Sequence, residues 1–177
     1  MMRNRQAFVK RDWMSRRPDI AFIPTPQCAI DVLLEELQVN ETDVIYDLGC
    51  GDGQGLITAA LKFGARGVGI DIDPVRIQEA QTKAEQAGIS DRLTFREQDL
   101  FESRFDQASI VILYLLPHLN LRLRPALSEQ LRPGTRIVSI DFDMGDWQPE
   151  KVIKLAIEEE TTLYFWAVPS TEFRDES

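Results

Sequence analysis

Apolar positions along the chain fall into alternating strand-like and helix-like runs. Val44-Ile45-Tyr46-Asp47-Leu48 is a short β-branched run that ends in glycines, and Leu56 to Phe63 after it has helical composition. Gly67 to Asp71 reads as a second buried strand. Asp73-Pro74 then opens a helix, with Asp73 as N-cap, Pro74 at the first helical position and Gly88 as the stop. Ile77, Ala80, Ala84 and Ala87 give that helix one apolar stripe. Arg92 to Gln98 alternates with period two, as a less buried strand does. Ser109 to Leu116 is the most apolar segment and predicts a central strand. Asn120 to Leu131 predicts a helix with Pro125 near its first turn and Pro133-Gly134 at its end. A strand over 135–142 follows. Lys151 to Ile157 and Thr161 to Val168, joined by the acidic Glu158 to Glu160, predict an antiparallel hairpin. Upstream, Thr25 predicts an N-cap with Pro26 at the first helical position, and Ala29, Ile30, Leu33, Leu34 and Leu37 form the apolar face of that helix.

This alternation predicts an α/β, Rossmann-like fold, its sheet mostly parallel and covered by helices on both faces, with an antiparallel strand at the edge from the closing hairpin. At 177 residues and 44% hydrophobic, one domain accounts for the chain. Cys28 and Cys50 supply no disulfide framework, which suits a reducing cytoplasm. No apolar run approaches the ~18 residues of a membrane span, and the opening residues lack a secretory apolar region. The expectation is a soluble cytoplasmic protein.

Charge refines the division of the chain. Net charge is −9, yet residues 1–17 carry +5 and the remainder −14. The sequence therefore divides into a basic arm over 1–20 and a single domain over 21–177. Duplex nucleic acid is an unfavourable partner for so acidic a body, because phosphate neutralisation dominates its binding. The arm reads either as a dock for an acidic partner or as a solvated extension.

Three predicted strand ends carry acids, where open α/β sheets bind ligands. Asp47-Leu48-Gly49-Cys50-Gly51-Asp52-Gly53 is a glycine loop leading into a helix near Gln54. Asp71, 24 residues on, is placed to accept both hydroxyls of a ribose and to disfavour a 2′-phosphate. Asp99-Leu100 follows the third strand, where a short acid can meet the exocyclic amine of adenine. The third glycine of a dinucleotide fingerprint is replaced by Gln54, and the acids Asp47 and Asp52 oppose a pyrophosphate. A nucleoside bearing an ammonium and a sulfonium suits the loop better: S-adenosyl-L-methionine, with S-adenosyl-L-homocysteine as product.

Near the remaining strand ends, Tyr114 and Asp141 are the candidate catalytic residues, beside His118 and Asp143. Tyr114 reads equally as core, and His118 as an exposed loop imidazole. Asp141 and Asp143 alternate with Phe142, which puts both on one strand face, either to bind a cationic substrate or to cap the next turn. Trp147 and Trp166 read as packing residues. No metal is implied, with one histidine and no Cys-x-x-Cys pair. A serine-hydrolase elbow is also lacking.

The series VIYDLGCGDGQG, GVGIDIDP and REQDLF resembles that of class I S-adenosylmethionine-dependent methyltransferases, over roughly Thr25 to Pro169. The resemblance implies a seven-stranded sheet. It implies Asp47, Gly49 and Gly51 at the methionine moiety, Asp71 at ribose and Asp99 at adenine, with Gly53 as the loop's third glycine. The cofactor-binding set is completed by Thr25, Cys50, Ile72, Leu100 and Tyr114. FIPTPQCAIDVLLEEL, LYLLPHLNLRLRPALSEQL and DFDMGDWQP further resemble small protein-lysine methyltransferases, the archaeal enzymes and those acting on the c-subunit of ATP synthase. That likeness implies Pro24, Thr25, Tyr114 and Pro117 at the cofactor and acceptor border. Leu113 to Leu116 stand where amine methyltransferases often carry Asn/Asp-Pro-Pro-Tyr/Phe. The acceptor is thus a protein lysine or a small metabolite, and the third reading is a non-catalytic cofactor-binding module.

Overall fold

The computed structural model describes residues 22–156 and 160–169; the basic arm 1–20 and most of the acidic hairpin turn lie outside the described residues. Seven strands form one sheet: β1 (Val44–Leu48), β2 (Arg66–Asp71), β3 (Leu93–Glu97), β4 (Ile110–Leu113), β5 (Arg136–Ile140), β6 (Lys151–Leu155) and β7 (Thr161–Ala167). Their spatial order is β3-β2-β1-β4-β5-β7-β6, with β1 to β5 parallel. The hairpin is present but placed differently from the expectation. β7 enters between β5 and β6, so the antiparallel strand sits one place inside the edge.

Among the described residues four helices cover the sheet: α1 (Gln27–Glu36), α2 (Gln54–Phe63), α3 (Pro74–Gln86) and α4 (Pro117–Gln130). One face packs α1, α2 and α3 through Leu33, Leu34, Leu56 and Ala80 against Ile45, Ile110 and Val138. The other packs α4 through Leu119, Leu123 and Leu127 against Leu48, Val111 and Ile137. Each fully buried large aliphatic contributes ~1.5–3 kcal/mol relative to exposure. Strand β4 is the fourth of seven and all four of its residues are buried, which explains why its sequence is the most apolar.

Helix ends differ locally from the sequence reading. Thr25 does not cap α1: Pro26 occupies the N-cap, and its carbonyl accepts from the Ala29 and Ile30 amides. Helix α4 starts at Pro117 rather than Asn120, so Pro125 lies inside the helix and His118 lies in its exposed first turn, not in a loop. Ala87 is exposed and leaves the predicted stripe of α3 at Ala84. The Asp73 cap holds as expected, with its carboxylate accepting from the Val75 amide at 2.9 Å. Among the described residues no helix is long and apolar enough to cross a membrane.

Candidate active site

The parallel register brings the carboxyl ends of β1, β2 and β4 side by side: Asp47 is level with Gly69 and with Ile112, and Asp71 closes β2. There a cavity of about 610 Å³ opens, and Asp47, Asp71 and Asp99 all line it. The three acid tips therefore converge on one hollow. Gly49, Cys50, Ile72, Leu100, Thr25 and Tyr114 are also in its wall.

Each acid is held differently. The Asp71 carboxylate accepts from the Gly51 amide and from the Asp73 amide, each at 2.9 Å, so it fixes the glycine loop to β2. Asp99 is buried and accepts from the Phe101 amide at 2.9 Å, which starts a short 3-10 turn over Leu100–Glu102. Asp47 is buried, and no donor among the described residues reaches its carboxylate. Desolvation first, then the charges of Asp71 and Asp52, push its carboxyl up to about 7. Asp52 is itself ion-paired with Lys83 of α3. Among the described residues the cavity wall holds five carboxylates against two guanidiniums, and one of those, Arg76, pairs with Glu79 at 2.8 Å.

Gly51 and Gly53 stand outside the wall and act through the backbone. Gly51 has φ +53°, and a Cβ there would lie 2.2 Å from the Phe22 ring. Gly53, at φ +77°, is the N-cap of α2 and abuts Phe95 and Ala80. Gly51→Ala is expected to cost about 1–2 kcal/mol from the left-handed backbone alone, and to unseat Phe22. A lower thermal midpoint checks it.

Several wall residues carry no signal in the sequence. Phe22 lies over Gly51 with the Arg76 guanidinium 4.4 Å from its ring centre, strapping the segment before α1 across the cavity. Phe101 carries Arg122 in the same way at 3.8 Å. Ile30, Leu33, Ile112 and Ile140 make an apolar end beneath α1. An aromatic before a helix and an arginine in a first turn are locally ordinary; only the folded contact sets them apart. α1 is docked over that end by Gln54 donating to Gln27 at 2.7 Å and by the Lys62–Asp31 pair at 2.8 Å.

At the β4 and β5 ends, Tyr114 donates its hydroxyl proton to Asp141 at 2.8 Å. Asp141 itself lies outside the cavity wall. It is not an extended residue of β5 but sits beyond the strand with φ +64°, a conformation rare outside glycine. The amide of Thr162 on β7 donates to its other oxygen at 3.0 Å, and its own amide donates to the Thr162 carbonyl at 2.7 Å. Asp143 is exposed and caps the turn by accepting from the Gly145 amide, so the two acids do not share a strand face. Trp166 is buried and donates to the Trp147 carbonyl at 3.1 Å, a packing arrangement. Among the described residues no group of three or more His, Cys, Asp or Glu side chains is placed to hold a metal.

Known proteins resemble this chain in sequence and fold. The sequence profile of the ANTKMT methyltransferase domain matches residues 47–151. A protein-lysine N-methyltransferase of Saccharolobus islandicus is 39% identical over 80% of this chain and 89% of its own length. The Homo sapiens lysine N-methyltransferase that acts on the c-subunit of ATP synthase is 26% identical over 90% of this chain, which spans 65% of that enzyme. A solved RNA methyltransferase of Salinibacter ruber, in complex with S-adenosyl-L-homocysteine, is 49% identical with a TM-score of 0.82, covering 87% of this chain and 98% of that one. With β1 to β5 parallel, the glycine loop at the β1 end and the profile covering more than half of the chain, the chain belongs to the ANTKMT methyltransferase domain family.

Proposed function

We propose that this protein transfers a methyl group from S-adenosylmethionine to a lysine side chain of a protein. The observation that carries the cofactor reading is Asp47: a buried carboxylate, without a donor among the described residues, beside a glycine loop and two further acids. Burying a charge without a partner is costly, and a cationic ligand removes that cost. In this reading Asp47 faces the cofactor's ammonium with Gly49, Cys50 and Gly51 alongside. Asp71 takes the ribose hydroxyls and Asp99 the adenine amine, between Ile72 and Leu100.

The bound cofactor supplies a methyl carbon already activated by its sulfonium, so the chain's task is to position the acceptor amine, whose ammonium proton passes to solvent before its lone pair attacks. The apolar end formed by Ile30, Leu33, Ile112 and Ile140 suits the aliphatic stem of lysine. Tyr114 stands beside it. While its hydroxyl donates a hydrogen bond to Asp141, its oxygen lone pairs face the amine and accept a hydrogen bond from the amine N–H. Asp141 acts through Tyr114 as a positioning residue. Tyr114→Phe is expected to lower kcat about 10–100-fold while changing adenosylhomocysteine affinity less than about twofold. Single-turnover kinetics beside calorimetry separate the two.

Protein is favoured over nucleic acid by the lysine methyltransferases among the relatives and by the acidic body. The Salinibacter ruber structure favours the second reading, an RNA acceptor. Incubation of the protein with labelled donor and cell extract decides. Label in protein bands, recovered as methyl-lysine and resistant to ribonuclease, is the expected result. Ribonuclease-sensitive label supports the second reading, and label only in small molecules contradicts both. The unpaired thiols of exposed Cys28 and buried Cys50 fit a cytoplasmic setting. We divide the chain into the basic arm 1–20 and one domain over 21–177.

A further inference from the structure

We propose that Asn120 is a positioning residue for methyl transfer, holding the turn after β5 from the far face of the sheet. Asn120 lies on α4 and is fully buried. Its amide nitrogen is within hydrogen-bond distance of three acceptors: Ser139 Oγ at 3.1 Å, the Phe142 carbonyl at 3.3 Å and the Asp143 carbonyl at 3.1 Å. Ser139 Oγ donates to the same Phe142 carbonyl at 2.6 Å.

These bonds bracket Asp141, the residue in the left-handed conformation. Outside glycine such a conformation costs free energy that its surroundings must offset, less for aspartate than for most residues, and it concentrates at functional sites. Here two elements supply the constraint. Thr162 of β7 holds the Asp141 backbone and one carboxylate oxygen, while Asn120 of α4 holds the carbonyls on its C-terminal side. The remaining carboxylate oxygen receives the Tyr114 hydroxyl, and the Phe142 side of the same turn forms cavity wall. Asn120 itself is not part of the cavity wall.

A second feature argues against a purely structural role. The Asn120 Oδ1 atom is buried without a hydrogen-bond partner among the described residues. A side chain selected for stability alone would not leave a buried acceptor unmet, since that costs free energy. Its amide donors are being used at the expense of its acceptor.

This inference rests on the Tyr114 reading above and is tested by a double-mutant cycle on whichever acceptor the wild-type protein labels. Asn120→Ala alone is expected to lower kcat about tenfold or more, with adenosylhomocysteine affinity within about twofold of wild type. In a Tyr114→Phe background the same substitution is expected to lower kcat less than about twofold, because the path it supports is already gone. Equal loss in both backgrounds, or unchanged turnover in the folded single variant, overturns the proposal. Should Asn120→Ala fail to fold, Ser139→Ala removes one link of the same network and is read by the same cycle. Wild-type label on lysine together with additive losses defeats this inference alone and leaves the acceptor assignment standing.

Discussion

Asp71→Ala is expected to weaken adenosylhomocysteine binding about 100-fold or more. The carboxylate accepts two backbone amides and, in the proposed complex, the ribose hydroxyls as well. Charge-assisted hydrogen bonds are worth ~1.5–3 kcal/mol each, so losing two reaches that range. The substitution also leaves the Gly51 amide without its acceptor and frees the loop beneath Phe22. Calorimetric titration checks the affinity, and an unchanged dissociation constant would remove Asp71 from the site.

Asp47→Asn is expected to move stability and binding in opposite directions. Between pH about 4 and about 7 the folded ligand-free chain keeps a proton on Asp47 that the unfolded chain has released. Unfolding then releases a proton, so stability falls as pH rises through that window and levels off above it. A shift from 3.8 to about 7 amounts to an order of 4 kcal/mol at most. The uncharged amide avoids that penalty, and the thermal midpoint at pH 8 should rise by several degrees, at ~2–4 °C per kcal/mol for a chain of this size. Adenosylhomocysteine affinity should fall about 100-fold, because truncating one partner of a buried charge pair costs ~2–5 kcal/mol. At pH 6 the wild-type protein should release a proton on binding, seen as a buffer-dependent enthalpy that the variant lacks. A variant that is less stable than wild type at pH 8, or that binds equally well, contradicts this account of Asp47.

The parts of this site legible in the sequence are those whose chemistry is local. Asp47 with its glycines, Asp71 before Asp73-Pro74, and Asp99 after an alternating strand each mark a strand end by themselves. Parallel pairing then brings them together without further information. Helix α4 is harder to read. A proline at its first position and another inside it, with no polar N-cap, give its true start no signature. Thr25 before Pro26 resembles a cap, but the helix begins one residue later, a displacement that caps alone do not resolve. The turn at Asp141 is hidden for a different reason. Its alternation with Phe142 and Asp143 imitates a strand, while its left-handed backbone is imposed by Thr162, 21 residues away, and by Asn120 on another element. Phe22 and Arg76 meet only through the fold.

The most direct test is a crystal structure of the protein bound to adenosylhomocysteine. The account predicts the ammonium beside Asp47, both ribose hydroxyls on Asp71, the adenine amine at Asp99 and the sulfur facing Tyr114. A ligand seated elsewhere, or one whose sulfur points away from the apolar end beneath α1, would contradict it.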